Sequence, residues 1–237
     1  MLLFIRFFQP LLIHSLLFIH FWDHTMRLIG LFLIVGLLAG CETAYYGINE
    51  KFGRMKPDIL VDKVEDAMEA QEDAKEEFKS ALEQFEAVVG IPESELKSTY
   101  NRLQDAFDDA ESQASDVSSK IDSVEDVAGD LFSEWQDELE QISNTSLRRK
   151  SASQLKQSRS RSKALVKAMR RAESRMEPVL TSFRDHVLYL KHNLNAQAIA
   201  SLKGELGGID RDVGRLIRDM ESSIAEAQTF IEQMEGG

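Results

Sequence analysis

Cysteine, proline and aromatic residues are scarce in the sequence. Its 237 residues include a single cysteine, Cys41, and four prolines, and Phe, Trp and Tyr together make up only 8%. One cysteine excludes an intramolecular disulfide and a thiolate metal cluster within one chain. Few prolines leave long helices uninterrupted, and few aromatics argue against a thick globular core. We therefore expect long helices that bury narrow apolar seams.

The chain is acidic, but its charge is unevenly distributed. The formal net charge is −12. Residues 58–145 contain 26 acidic and 6 basic side chains, whereas residues 146–192 contain 13 basic and 3 acidic ones. Two helical segments of opposite sign can neutralise each other when they pack together, because charges beside an apolar seam set pairing and orientation. The alternative is that the basic segment binds a polyanion.

The first forty-one residues have the pattern of a lipoprotein leader. Residues 26–27, Met-Arg, precede an apolar run over residues 28–38, and the run ends in Leu-Ala-Gly-Cys at 38–41. A basic start, an apolar core and small residues before a cleavage point are typical of a secretory signal peptide. The tetrapeptide closely resembles the lipobox of bacterial lipoproteins. We therefore expect signal cleavage between Gly40 and Cys41 and lipidation of Cys41.

A membrane-spanning helix is the alternative for this leader. The apolar run of 11 residues is too short for it, because a span needs about 20. Residues 1–25 are interpreted as an N-terminal extension in front of the true start at Met26, or else as a genuine extra hydrophobic segment. Glu42 follows the cysteine where an aspartate commonly favours inner-membrane retention. This indicates a protein anchored at the outer membrane and facing the periplasm.

Behind the leader, residues 41–57 are predicted to form a lipidated tether and residues 58–237 a helical body. The first helix is expected to run from an N-cap at Asp58 to about Val89. Its apolar positions alternate steps of four and three residues, the 3.5-residue period of helices that supercoil with a partner. These seam positions are Leu60, Val64, Ala67, Gln71, Ala74, Phe78, Ala81, Phe85 and Val88.

A break at Gly90 is followed by Pro92, which suits the start of a second helix. The seam of this helix is the clearest in the chain, since only Glu138 among its fourteen positions is neither apolar nor aromatic. The positions are Leu96, Tyr100, Leu103, Phe107, Ala110, Ala114, Val117, Ile121, Val124, Ala128, Leu131, Trp135, Glu138 and Ile142.

A turn near Asn144 leads to a third, basic helix with a weaker seam, and Pro178 should kink it or relax one turn. A turn over residues 193–196 is expected before the fourth helix, with Gly207-Gly208 as a competing break. Short connections make antiparallel neighbours. The fold class predicted is therefore an all-α, elongated antiparallel coiled coil or bundle of about four helices.

The antiparallel register makes specific predictions about the charges. Arg170 should lie near Asp122 and Glu125, and the arginines at 148 and 149 near Glu140. Exposed pairs of this kind contribute only about 0.2–1 kcal/mol each, so their main effect should be on register. If the segment 148–175 binds a polyanion instead, an anionic lipid or lipopolysaccharide suits a secreted chain better than nucleic acid. The contacts would be Arg148, Arg149, Lys150, Arg159 and Arg161.

A second possible contact surface lies around residue 190, where aromatic, basic and amide groups coincide with a shift of the seam. A partner protein could bind Tyr189, Lys191, His192, Asn193 and Asn195. The alternative is that the asparagines cap a helix end.

Nothing in the sequence predicts catalysis. His186 and His192 are six residues apart, about 240° around a helix, so they do not face one ligand. Phosphate-binding loops, nucleophile elbows and zinc-ligand spacings are missing from the sequence. We expect neither an enzyme nor a metal site nor a cofactor.

Four segments resemble a family of proteobacterial lipoproteins grouped as domain of unknown function 2959. They are Ala-Tyr-Tyr at 44–46, Asp-Ile-Leu-Val-Asp-Lys-Val-Glu-Asp-Ala at 58–67, Ala-Met-Arg-Arg-Ala-Glu-Ser-Arg-Met at 168–176 and Tyr-Leu-Lys-His-Asn-Leu-Asn-Ala at 189–196. The resemblance implies a secreted, lipidated, helical protein and assigns no activity. The sequence thus predicts an envelope lipoprotein with a structural or scaffolding role, which binds envelope proteins or copies of itself. A module for anionic polymers or lipids is the alternative.

Overall fold

The computed structural model describes residues 56–89 and 95–235, which form four α-helices and no β-strand. Their bounds are α1, Lys56–Val89; α2, Leu96–Gln141; α3, Thr145–His192; and α4, Ala196–Glu235. The predicted all-α class is confirmed. The 48 residues of α3 make a helix about 72 Å long at 1.5 Å per residue.

The helices form a closed antiparallel ring in which each packs on two neighbours, and α4 returns to α1. Lys56, the first residue of α1, lies 2.5 Å from the carboxylate of Glu134 late in α2. Arg175 of α3 pairs with Asp219 of α4, whereas the earlier Arg161 lies beside the later Phe230, so those two helices run in opposite directions. The start of α1, the α2–α3 turn and the end of α4 therefore lie at one end, here called the entry end.

The predicted seams form the core. All nine seam positions of α1 are buried, and so are ten of the fourteen in α2. In α2 Tyr100, Trp135 and Ile142 are half-buried and Glu138 is exposed. The last three of these positions lie in or next to the final two turns of α2, around and beyond Glu134, where α1 no longer covers them. The 3.5-residue period thus predicted the interior correctly at every position of α1 and at ten of the fourteen positions of α2.

The predicted turns are present, and two asparagines stabilise them. Asn144 accepts hydrogen bonds from the backbone N–H groups of Ser146 and Leu147 at the start of α3. Asn195 accepts one from the N–H of Ala198 at the start of α4, over 3.0 Å. Asparagine suits these positions because its side-chain oxygen satisfies N–H groups that have no helical partner.

Several predicted boundaries were wrong. Helix α1 begins at Lys56, so Asp58 lies in its first turn, not at its N-cap. Helix α2 begins at Leu96, four residues after Pro92, which is outside the described residues. Gly207 and Gly208 lie inside α4, so the competing break is absent. Pro178 lies inside α3, as predicted, and the helix continues through it because packing on two neighbours outweighs one missing hydrogen bond.

Two polar side chains lie in the core without a partner. Gln71 of α1 and Ser223 of α4 are fully buried. Within the described part of the chain, neither the amide of Gln71 nor the hydroxyl of Ser223 has a hydrogen-bond partner. Gln71 occupies a predicted seam position and Ser223 a buried position of α4, so each places an unsatisfied polar group where an apolar one would pack.

Candidate functional site

The predicted cleavage and lipidation site, Gly40 and Cys41, lies outside the described residues. The predicted N-terminal extension, the signal peptide and nearly all of the tether also lie outside them. The structure does describe the basic segment 148–175, the surface around Tyr189 and the histidines. These are the remaining places where the sequence predicted a function.

The predicted charge register is confirmed at Arg170. Its guanidinium bonds Asp122 over 2.5 Å and also bonds Glu125, both on α2, and it contacts Glu173 on its own helix over 3.0 Å. Partial burial lowers the pKa of this guanidinium, but the three carboxylates outweigh burial and raise it well above its usual value. Arg170 is therefore a permanent positive charge that joins α2 to α3.

The second predicted pairing does not form. Arg148 and Arg149 are exposed, and neither makes an ion pair with Glu140 or with another carboxylate among the described residues. Arg149 instead donates to the carbonyl of Thr145 in the preceding turn. The α2–α3 hairpin extends beyond the start of α1 here, so the long side chains of its last turns are exposed to solvent.

Most cations of the basic segment have no carboxylate partner among the described residues. Of its eleven Lys and Arg side chains, only Arg170 and Arg175 bond a carboxylate of the described part of the chain. The other nine have no carboxylate within 4.0 Å in the described part of the chain. Within the segment, an ion pair between α2 and α3 is therefore confirmed at Arg170, and neutralisation of its other cations by α2 stays a prediction.

The five predicted polyanion contacts do not form one surface. Arg148, Arg149 and Lys150 lie at the tip of the hairpin, where residues 143–150 are all exposed. Arg159 lies between α2 and α3, with its guanidinium carbon 5.8 Å from the ring centroid of Phe132. Arg161 lines a separate groove between α3 and α4. Two residues along a helix are about 200° apart, so Arg159 and Arg161 face opposite sides.

Two lysines that were not predicted from the sequence lie in the same groove as Arg159. Lys163 and Lys167 line a groove between α2 and α3 of about 740 Å³, together with Arg159 and Phe132. A signal for them exists in the sequence, because residues 159, 163 and 167 are spaced by four and so share one helix face. Only the register of the hairpin shows that this face meets Gly129, Ser133 and Gln136 of α2, which lie between Glu125 and Asp137.

The predicted partner-binding residues divide into two groups. Asn193 donates to the carbonyl of Tyr189 over 2.9 Å, and Asn195 caps α4, so both asparagines stabilise the turn. Tyr189, by contrast, is 43% exposed, and Lys191 and His192 are exposed as well. This part of the surface lies at the end of the bundle opposite the entry end.

The histidines do not converge. His186 is half-buried, with its ring 5.2 Å from that of Phe85, and its Nδ1 lies 2.5 Å from the carbonyl oxygen of Ser182. His192 stands exposed at the end of α3. Within the described ranges 56–89 and 95–235, no three His, Cys, Asp or Glu side chains are grouped as metal ligands would be.

Comparison with known proteins identifies a family and no function. None of the described helices has a stretch apolar and long enough to cross a bilayer. No curated protein and no solved structure matches the chain. A family model described as a protein of unknown function, DUF2959, matches residues 45–234. Since this match covers most of the chain and all four helices, the protein belongs to the DUF2959 family.

Proposed function

We propose that the protein is a lipid-anchored scaffold of the cell envelope, attached through Cys41 and presenting its helical bundle to envelope proteins or to other copies of itself. The observation that carries the proposal is that the chain enters the bundle at the same end as the basic tip of the α2–α3 hairpin. An anchor on the tether would hold that end towards the membrane.

The dimensions are compatible with this arrangement. Fourteen residues lie between Cys41 and Lys56, and the connection spans at most about 50 Å when extended. Lys56 lies level with Glu134, and the tip at Ile142 is eight residues further, about 12 Å along the helix axis. The tip would therefore be the first part of the bundle to meet a surface to which Cys41 is anchored.

The composition of the tip supports contact with anionic headgroups. Arg148, Arg149 and Lys150 are exposed there without a carboxylate partner among the described residues, and Leu147 beside them is 58% exposed. Glu138 and Glu140 on α2 oppose this charge. A lipid tail together with a few basic residues is a combination that gives stable anchoring, whereas one weak signal does not.

The opposite end supports the scaffolding part of the proposal. Leu188 and Tyr189 are 52% and 43% exposed, and they stand at the end that would point away from the membrane. Tyrosine is enriched in protein interfaces because its ring buries apolar area while its hydroxyl keeps a partner. We propose this end as the contact with other envelope proteins.

The test of the anchor is the variant Cys41→Ser, expressed in its native host and compared with the wild-type protein. We expect the wild-type mature chain to begin at an acylated Cys41, whereas the variant keeps its leader and carries no lipid. Intact-mass spectrometry and membrane fractionation measure both. Normal cleavage and membrane retention of the variant would contradict the proposal.

A second candidate function is the binding of an anionic envelope polymer or lipid along residues 148–175. The nine cations of this segment that have no carboxylate partner among the described residues favour this function. Reversing the charge of Arg148, Arg149, Arg159 and Arg161 should abolish binding to lipopolysaccharide without changing helix content. If binding persists, the cations serve solubility or orientation only.

A further inference from the structure

The groove between α2 and α3 has an apolar floor. Its volume is about 740 Å³, and every residue that lines it belongs to one of these two helices. Ala128 and Phe132 from α2 and Val166 from α3 are its apolar lining residues, and the buried Ser162 of α3 adds one hydroxyl group. Gly129 also lines the groove, and a Cβ added there would meet no atom within 4 Å. The groove therefore has room for a side chain at this position.

One rim of the groove is cationic, and the other is locally uncharged. Lys163 and Lys167 on α3 are exposed, and neither has a carboxylate partner in the described part of the chain. The facing rim of α2 is formed by Gly129, Ser133 and Gln136. Acidic residues return only at the two ends of this rim, at 125 and 137. The lining of the groove thus contains four cations and two carboxylates, and one of these carboxylates, Glu125, bonds Arg170.

Arg159 is fixed across the same groove. Its Nη2 donates to the backbone carbonyl of Phe132 over 2.9 Å, and its guanidinium lies against the Phe132 ring. A guanidinium has five N–H donors, and this is the only hydrogen bond that Arg159 makes among the described residues. The remaining donors are held in place and available, so binding would cost little side-chain ordering.

We propose that this groove binds one anionic phospholipid. The headgroup phosphate would lie on Lys163 and Lys167, with Arg159 as a further donor, and an acyl chain would lie along Phe132 and Val166. A cationic rim above an apolar floor is complementary to an amphiphile, and it is a poor match for a wholly polar polymer. The volume falls within the range of about 300–1,000 Å³ that holds small ligands in proteins.

The groove does not depend on the proposed anchor. The acyl group on Cys41 is covalent and lies outside the described residues, whereas the phospholipid would bind reversibly to the helical body. Binding should weaken as salt rises, because exposed charges are screened within about 8 Å at physiological ionic strength. A protein could thus carry both lipids, or either one alone.

The experiment is native mass spectrometry of the full-length protein, purified in a non-ionic detergent and titrated with phosphatidylglycerol or with phosphatidylcholine of the same acyl chains. We expect one phosphatidylglycerol per chain, with an affinity at least about tenfold above that for phosphatidylcholine. Equal binding of the two lipids would overturn the proposal.

A steric variant tests the floor. Gly129→Leu should fill the groove and reduce phosphatidylglycerol binding at least about tenfold, and it should not disturb folding because leucine favours a helix more than glycine does. Gly204→Leu is the matched control, since Gly204 of α4 also has no atom within 4 Å of an added Cβ. Undiminished binding by Gly129→Leu would place the lipid elsewhere and overturn the proposal.

A charge variant tests the rim even if the steric variant misfolds. The double substitution Lys163→Gln and Lys167→Gln should weaken phosphatidylglycerol binding about tenfold with unchanged circular dichroism. The double substitution Lys203→Gln and Arg211→Gln, at two exposed cations of α4, should have no effect. Equal effects of the two double variants would mean unspecific charge attraction and would overturn the site.

A third titration separates the lipid from its headgroup. Glycerol 3-phosphate should bind at least about tenfold more weakly than phosphatidylglycerol, because it cannot use the apolar floor. Equal affinity would contradict the lipid assignment. The covalent acyl mass on Cys41 is read in the same spectra, so failure of the groove and failure of the anchor are distinguishable.

Discussion

Nε1 of Trp135 donates a hydrogen bond to Oγ of Ser151 over 2.8 Å, and this bond joins the two helices of the hairpin close to its tip. Trp135 is half-buried, so water can replace the partner only in part. The bond lies where α1 and α4 no longer support the hairpin. We therefore expect it to contribute more to the order of the tip than its small energy suggests.

A double-mutant cycle with Ser151→Ala and Trp135→Phe measures this bond. We expect a coupling free energy of about 0.5–1.5 kcal/mol, and faster amide exchange over residues 136–150 in Ser151→Ala. Urea denaturation followed by circular dichroism gives the free energies. A coupling near zero, with unchanged exchange, would mean that the tip is held by other contacts.

Removing the guanidinium of Arg170 should destabilise the bundle. Arg170→Ala leaves Asp122, Glu125 and Glu173 close together without their shared cation, and we expect a loss of about 1–2 kcal/mol. The loss should shrink in 0.5 M salt because the repulsion is screened. Arg171→Ala is the matched control, since the neighbouring Arg171 is exposed and has no carboxylate partner among the described residues. Equal losses in the two variants would indicate that only helix propensity had changed.

Replacing the buried amide of Gln71 by an apolar side chain should stabilise the fold. Gln71→Leu removes two unsatisfied polar atoms from the core, and we expect a gain of about 1–3 kcal/mol. Gln197→Leu, at an exposed position of α4, should change the free energy of unfolding by less than about 0.5 kcal/mol. Thermal and urea denaturation measure both variants. A loss of stability in Gln71→Leu would show that its amide has a partner such as a buried water.

A buried polar residue in a seam can also select one register among several. Gln71→Leu should then retain its stability gain but lose uniqueness of packing. Size-exclusion chromatography with light scattering, and the dispersion of methyl resonances, report on this. A single well-dispersed species would show that the other seams specify the register by themselves.

Lys75 should make the stability of the protein fall at alkaline pH. The side-chain hydrogen bond that Lys75 donates to the carboxylate of Glu72 is the main cause that raises the pKa of Lys75 above its usual value, and burial opposes it. The folded state therefore holds its proton more tightly than the unfolded state. The contribution of Lys75 is complete below pH 10.5 and is lost as the pH rises through the higher folded value.

Lys75→Met checks the pH dependence. The free energy of unfolding of the wild-type protein should fall more steeply between pH 10 and pH 11.5 than that of the variant, as measured by urea denaturation at each pH. Parallel curves for the two proteins would show that Lys75 makes no difference to the alkaline slope.

The sequence was most informative where the physics is local. A 3.5-residue period identified the buried face of α1 and most of that of α2, and asparagines at 144 and 195 indicated the turns, because their side chains satisfy N–H groups within three residues. The ion pair of Arg170 with Asp122 was predictable for a related reason. Once the turn between two antiparallel helices is known, each residue has a single facing position.

The groove was not predictable from composition. Arg159 and Arg161 look equivalent in the sequence, yet one crosses the α2–α3 groove and the other faces α4. The difference between the two arginines depends on the helix that each one faces. In the α2–α3 groove, α2 contributes the uncharged residues Gly129, Ser133 and Gln136. The sequence of one helix does not show which residues of the other helix face it, so the groove becomes evident only when the two helices are aligned.

An even number of antiparallel helices brings the first and last turns of the described body to the same end. A fluorophore placed after α4 would thus report on the entry end, whereas one at the turn over residues 193–195 would report on the other. The 40 residues of α4 separate these two positions by about 60 Å. Quenching of each label by a lipid-borne acceptor would therefore measure how upright the protein stands on the bilayer to which we propose that it is tethered.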